Sequence, residues 1–431
     1  MRYKPLPASF YTENRQRLYA KLAPRSVVIV HSNDVLPTNA DGSMSFIQNT
    51  DMLYLSGIDQ EESILILFPD ASDPKQREMI FTRETNETVA VWEGEKLTKE
   101  QARQQSGIAR AHWLDDFETQ FRSVMCQADH VYLNSNEHIR ATIPTETRQT
   151  RFTHRCRQEY PLHDFRRLAP LMHDLRAIKS PHEITALNEA IRITGDGFER
   201  LLRFVKPGVH EFEIEAELTH EFLRQRARGF AYTPIIATGA NACVLHYITN
   251  HCQCQDGELI LLDVAANYAN YNADLTRTIP VNGRFTPRQR LVYDAVLRVF
   301  KKCCTMLRPG VIIREYQEQV GLLMQDELLG LGLITQDDIA KQDPEKPAYK
   351  KYFPHGTSHP LGLDVHDVGR MWQPIQPGMV FTVEPGIYIR EEKLGVRLEN
   401  NILIGENGNT DLMAHIPIEA DDIEAAMNAG K

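Results

Sequence analysis

The sequence predicts two domains of different class, an α/β unit followed by an α+β unit built twice over. Three observations carry that reading. The 431 residues exceed what one ordinary core requires. Short β-rich runs alternate with polar, helix-compatible segments through the first third of the chain. In the remainder a capped helix, a Pro-Gly turn and an acid-ended strand occur in one order and then occur again in that order.

The β-rich runs are Ser26–Val30, Met52–Leu55, Ser63–Phe68, Glu78–Thr82 and His130–Leu133. A polar stretch, Thr145–Arg157, follows them, and the character of the chain changes near Arg176-Ala-Ile-Lys-Ser180. The boundary is therefore placed close to residue 171, giving domains 1–171 and 172–431.

The second domain opens on Ser180-Pro181-His182-Glu183, where a hydroxyl, a proline at the first helical position and a carboxylate three residues after the hydroxyl make a capping box. Ile184, Leu187, Ile191 and Phe198 then recur at helical spacing, which predicts one apolar face. The helix ends before Lys206-Pro207-Gly208-Val209. Thr286-Pro287-Arg288-Gln289, a run through Leu291, Val292, Ala295, Val296 and Val299, and Arg308-Pro309-Gly310-Val311 repeat that grammar. Each copy proceeds through a helix-compatible stretch to a strand with an acid six residues after a turn glycine: Gly257 to Asp263, and Gly378 to Glu384. The second copy is longer between its glycines, and the polar segment 336–351 is the expected insertion.

Composition bounds the function. Apolar residues are 42% and charged residues 25%, as in globular proteins with substantial cores. A formal charge of −10 without a Lys/Arg-rich block disfavours nucleic acid or an anionic membrane as partner. The N-terminus lacks the apolar run of a secretory signal, and no stretch reaches about 18 apolar residues. Seven cysteines, an odd number, fit free thiols better than a disulfide framework. A cytoplasmic protein is expected.

Four acids fall on two expected hairpins: Asp263 and Asp274 in the first copy, Glu384 and Glu399 in the second. A carboxylate ending an apolar strand is costly to bury without a cation or several donors. Three histidines, His355, His359 and His366, crowd a stretch whose Gly356 and Pro360 argue for a loop and against a helical zinc-protease motif. His246 lies 17 residues before Asp263, much as His366 lies 18 before Glu384.

The ordered set Asp263, Asp274, His359, Glu384 and Glu399 resembles the five-ligand dimetal site of the pita-bread peptidases, the family of methionine aminopeptidase, prolidase and aminopeptidase P. The stretch His355-Gly-Thr-Ser-His-Pro-Leu-Gly-Leu-Asp-Val-His-Asp-Val-Gly369 is most similar to aminopeptidase P. Phe46-Ile-Gln-Asn-Thr-Asp-Met-Leu-Tyr-Leu-Ser-Gly57 and Val91-Trp-Glu-Gly94 resemble its creatinase-like N-terminal domain. Ala265 and Asn400 depart from the family, which often has glycine and an acid there. Neither is a ligand, so modest tuning is the expected effect.

The resemblance implies a pita-bread α+β catalytic domain and two divalent ions. Asp263 would hold one, His359 and Glu384 the other, and Asp274 and Glu399 would bridge them. Four carboxylates and one imidazole suit Mn²⁺ and tolerate Co²⁺ or Zn²⁺. Such a pair lowers the pKa of a water between the ions, and Glu384 would take its proton. His366 and His246 would assist the oxyanion and the leaving nitrogen, with Arg397 beside Glu399. His355 and Tyr388 would line the substrate site, and Trp92 would reach it from a neighbouring subunit of a homo-oligomer. A tryptophan buried in the monomer's own core is the alternative reading of Trp92. The implied reaction removes the first residue from peptides with proline second; prolidase action on Xaa-Pro dipeptides and non-catalytic peptide or partner binding on the same fold are the competing readings.

Overall fold

The structure is a computed structural model that describes residues 3–429. Two compact units result: Pro5–Arg176, and the chain from Ala177 onward together with Tyr3 and Lys4.

The first unit is built on one six-stranded sheet. Its strands are β1 (Ser26–His31), β2 (Ile64–Leu67), β3 (Glu78–Thr82), β4 (Arg110–Trp113), β5 (His130–Leu133) and β6 (Asp164–Arg167), in the spatial order β4-β3-β2-β1-β5-β6. Only β2 runs antiparallel to its neighbours. Every residue of β1 is buried, as expected of an interior strand in a sheet covered on both faces. Val27, Ile29, Ile66 and Phe81 meet Phe117, Phe121 and Phe152 in the core on one face.

Two expectations for this unit need correction. The apolar run Met52–Leu55 is not a strand but lies within a helix, Thr50–Ser56. Asn49 caps it by accepting from the backbone N–H groups of Asp51 and Met52, and Gly57 ends it at φ +69°. Strands β4 and β6 went unanticipated. They are the two edges of the sheet, short and polar, so they lack the apolar signal that marks interior strands.

The second unit realises the repeat. Ser180 and Thr286 form the two capping boxes, each heading a helix with proline in its first turn, Pro181–Phe204 and Pro287–Met306. A second helix follows in each copy, Glu211–Arg224 and Ile313–Gly330. The first copy then supplies β7 (Gly229–Phe230), β8 (Ile235–Thr238), β9 (Leu259–Asp263), β10 (Ala266–Tyr268), β11 (Tyr271–Asn272) and β12 (Thr276–Pro280). The second supplies β13 (Val380–Val383), β14 (Gly386–Ile389), β15 (Leu394–Arg397) and β16 (Asn400–Leu403), and β17 (Thr410–Asp411) adds to β16.

In both copies an outer antiparallel pair, β9 with β12 and β13 with β16, encloses a short inner pair, β10 with β11 and β14 with β15. Gly257 and Gly378, which lead into β9 and β13, both adopt left-handed backbone, at φ +79° and +86°. The insertion expected at 336–351 holds a short helix, Gln336–Ala340, and a 3₁₀ turn, Ala348–Lys351. One core, running from Ile191 and Phe198 through Leu262 and Val296 to Val383 and Ile402, joins the helices of both copies to both sets of strands.

The candidate metal and peptide site

The two outer hairpins meet edge to edge. Thr276 at the start of β12 pairs with Glu399, whose N–H donates to the Thr276 carbonyl at 3.0 Å. Asn401 fixes the neighbouring acid by accepting from the Asp274 N–H (3.1 Å) and donating to its carbonyl (2.6 Å). Arg277, fully buried, adds donors to the carbonyls of Thr276 and Glu399. The backbones of Asp274 and Glu399 are thereby locked beside each other by the Thr276–Glu399 pairing and by the Asn401 and Arg277 side chains.

The stretch 357–361 runs antiparallel alongside β13, with a bridge between Pro360 and Phe381. Leu361 donates to Val380, Thr382 to His359 and Glu384 to Thr357, each through its backbone N–H. This places His359 opposite Thr382 with Glu384 just past the strand end. The His359 Nδ1–H is directed to the Pro360 carbonyl at 2.9 Å, which turns Nε2 toward Asp274 Oδ2 (3.5 Å) and Glu384 Oε1 (3.7 Å). Donor atoms of Asp274, His359 and Glu399 lie within 4.8 Å of one another, the spacing of a metal site.

Asp263 sits at the end of β9, opposite Thr276. Its Oδ1 accepts from the Tyr232 hydroxyl at 2.6 Å and its Oδ2 from Arg397 Nη2 at 2.6 Å. Arg397 is buried and also donates through Nε to Thr276 Oγ1 (3.2 Å) and through Nη1 to the Tyr388 hydroxyl (2.9 Å). Tyr388 in turn donates to His355 Nε2 at 2.8 Å, while His355 Nδ1 faces the Gly356 carbonyl at 2.8 Å. A relay Arg397–Tyr388–His355 thus leaves Asp263 and ends 3.9 Å from Glu384 Oε2.

The electrostatics are those of a cluster short of positive charge. Burial, and then repulsion from Asp263 among others, raises the Asp274 carboxyl well above the usual carboxylate range. Glu399 is raised by burial and by Asp274, Glu384 and Asp263. Burial and the nearby Arg397 push His355 down to about 4, so it is neutral at physiological pH and can accept from Tyr388. Burial acts to lower the Arg397 guanidinium, but Tyr388 and Asp263 outweigh it and keep it charged. One guanidinium does not balance four carboxylates. The donor set of hard oxygens and one imidazole, buried or half-buried and mutually repelling, fits divalent cations.

The remaining expected residues are placed less tightly. His366 stacks edge-on against His359 with ring centroids 4.4 Å apart. His246 is exposed on the turn after the 3₁₀ segment Gly239–Cys243. Trp92 lies in the first unit on the helix Glu87–Glu93 and is 82% exposed, so it is not a core residue of its own chain. Of the two departures, Asn400 faces away from the acids: it accepts from Arg277 Nη2 and donates to Asp411, both at 2.7 Å. Ala265 is fully buried, and its carbonyl accepts from the Ala231 N–H. Sequence reasoning missed Tyr232 and Thr276, the latter donating to Glu399 Oε2 at 2.6 Å. A lone Tyr or Thr carries no spacing signal, though Thr276 follows once Asp263 is paired across the hairpin.

Comparison with known proteins identifies both domains. Residues 185–406 match metallopeptidase family M24, and residues 11–132 match the aminopeptidase P N-terminal domain. The Xaa-Pro aminopeptidase of Escherichia coli (strain K12) is 34% identical over 439 residues, covering 98% of each chain. Among solved structures, proline aminopeptidase P II from Yersinia pestis superposes with a TM-score of 0.87 at 34% identity, over 99% of this chain and 100% of that one. Aminopeptidase P from E. coli with the inhibitor Pro-Leu gives 0.87 at 32% identity over 99% of both chains. Helices, hairpins, acids and both matched domains lead to one statement: the chain belongs to metallopeptidase family M24, with the two-domain organisation of aminopeptidase P.

Proposed function

We propose that the protein is a metal-dependent aminopeptidase that hydrolyses the Xaa-Pro bond at the start of peptides. The observation that carries the reading is the buried group Asp274, His359 and Glu399, with the half-buried Asp263 and Glu384 beside it on the two hairpins, flanked by the Arg397–Tyr388–His355 relay. Two divalent ions, with Mn²⁺ favoured by the oxygen-rich donors, would polarise the scissile carbonyl and lower the pKa of the attacking water. Asp263 would serve one ion, His359 and Glu384 the other, and Asp274 and Glu399 both.

The protein's own groups supply the rest. Glu384 takes the proton of the attacking water on its carboxylate. His366, against His359, donates to the developing oxyanion, and His246 serves the leaving side. Arg397 fixes Asp263 through one nitrogen and Tyr388 through another. The tertiary amide of an Xaa-Pro bond has no N–H to offer a strand-like site, and its ring fixes φ near −65°. Recognition must therefore use ring shape and the neighbouring carbonyl, for which His355 and Tyr388 present flat faces and donors. The exposed Trp92 supports a homo-oligomer in which it reaches a neighbouring subunit's substrate. Seven free cysteines favour a cytoplasmic setting, and no helix among the described residues is long and apolar enough to cross a membrane.

The test is substrate discrimination under metal control. Xaa-Pro-Yaa peptides with a free amino terminus should be cleaved, Xaa-Pro dipeptides more slowly and Xaa-Ala-Yaa hardly at all. Chelation should abolish hydrolysis and Mn²⁺ should restore it, while His366→Ala should lower kcat roughly 10²–10³-fold, the cost of one oxyanion donor, with metal content unchanged. Fast dipeptide cleavage with negligible tripeptide turnover would make the enzyme a prolidase. Efficient cleavage before alanine would reject proline specificity.

A further inference from the structure

The loop that carries His366 is anchored by a buried ion pair that takes no part in the site itself. Lys179, just ahead of the capping box, places Nζ 2.7 Å from Asp367 Oδ2, and both side chains are only 1% exposed. The same lysine donates its backbone N–H to the Gly378 carbonyl, at the turn leading into β13. Asp367 is the residue after His366, and its own N–H closes the loop by donating to the Pro360 carbonyl at 2.9 Å. Midway along, the Gly362 carbonyl accepts from the Asn272 N–H (2.9 Å) and side chain (3.2 Å), two residues before Asp274. The loop is therefore tied to both hairpins and to the start of the first long helix.

The packing around the pair is close enough to be selective. A Cβ on Gly362 would run into the Asp367 carboxylate and come 2.9 Å from Lys179 Nζ, so only glycine lets the loop backbone pass over the pair. Glu183, also buried, lies one helical turn from Lys179 and accepts from Ser180 N–H and the Tyr271 hydroxyl, connecting the pair's surroundings to β11. A buried ion pair is weak evidence for stability, because apolar replacements of similar volume often serve as well or better. What apolar side chains cannot supply is a direction. An ammonium held on a rigid helix start fixes where the carboxylate of Asp367 must lie, and with it the backbone that presents His366.

We propose that Lys179 is a positioning residue of the peptidase reaction: through its ion pair with Asp367 it holds the His366 imidazole edge-on to His359. This rests on the substrate-facing role given above to His366, and the two can be separated. Lys179→Met should lower kcat at least tenfold with little change in KM. In metal-free protein with isotope-labelled histidine, it should shift or broaden the His366 ring signals and leave those of His31, in the other unit, unmoved. The double variant Lys179→Met/Asp367→Leu, which removes the orphaned charge, should recover the thermal midpoint but not kcat, and Lys179→Met should have no further effect on kcat in a His366→Ala background. Recovery of kcat together with the midpoint, or unmoved His366 signals, would overturn the proposal. Shifted signals in Lys179→Met combined with normal kcat in His366→Ala would uphold the positioning and reject the role of His366.

Discussion

Tyr232 and Arg397 divide the two oxygens of Asp263 between them, each at 2.6 Å. A carboxylate oriented by two donors presents fixed lone pairs to a cation, and partners of this kind are worth roughly 10–100-fold in metal affinity. Tyr232→Phe should weaken metal binding by an amount in that range, measured by titration of the chelated protein, with secondary structure unchanged. The residue scale is also where reading the sequence was most uneven. Asp263 and Glu384 stood out because an acid at the end of an apolar strand contradicts the pattern around it, and Asp274 and Glu399 because each follows at a matched position in its copy. Tyr232, Thr276 and Lys179 contradict nothing locally. Tyr232 and Thr276 join the site, and Lys179 anchors a loop outside it, through residues 31, 123 and 188 positions away, which only the folded chain brings near.

At the scale of elements, the turn glycines at the head of β9 and β13 look equivalent in sequence but not in surroundings. Both have left-handed backbone, where a residue with a Cβ pays about 1–2 kcal/mol. A Cβ at Gly257 meets nothing within 4 Å, whereas one at Gly378 would lie 2.9 Å from Ile178 Cγ2. Gly257→Ala should cost about that backbone penalty in urea unfolding, and Gly378→Ala should cost more and also reduce activity, since its carbonyl holds the backbone of Lys179. Element reading succeeded where end signals were explicit, at both capping boxes and both acid-ended strands. It failed at Met52–Leu55, where four apolar residues fit a helix turn as well as a strand and the deciding signals, Asn49 and Gly57, flank the run. The loop at 355–369 was legible as a loop from Gly356 and Pro360. That 357–361 pairs with β13 was not, because its residues carry no β pattern.

Across the whole molecule, the two units have separate cores and separate sensitivities. His31 ends β1 in the first unit, packed on Phe152 with ring centroids 4.3 Å apart, and neither of its ring nitrogens has a hydrogen-bond partner. Burial, and then Arg148 and Arg155, lower its pKa from 6.5 to about 3. The unfolded chain therefore binds a proton that the folded unit refuses, and stability falls as pH drops from about 6.5 toward 3. Urea midpoints of the first unit should decline between pH 7.5 and 5, and His31→Leu should flatten that decline; equal slopes in the two proteins would assign the acid sensitivity elsewhere.

The second unit divides its site between its copies, and unequally. In the matched registers, Asp263 pairs with Ile235 as Glu384 does with Thr357, which sets Ala237 in the place that His359 occupies in the other copy. Neither copy alone holds the four acids, and only the second contributes an imidazole to the donor cluster. During synthesis Asp263 and Asp274 emerge long before Glu384 and Glu399, so the nascent chain cannot assemble a working centre until residue 399 has cleared the ribosome and its hairpin has docked on the first. On the ligand set proposed above, the peptidase is inert for most of its own translation, and a product truncated upstream of that hairpin should show no hydrolysis.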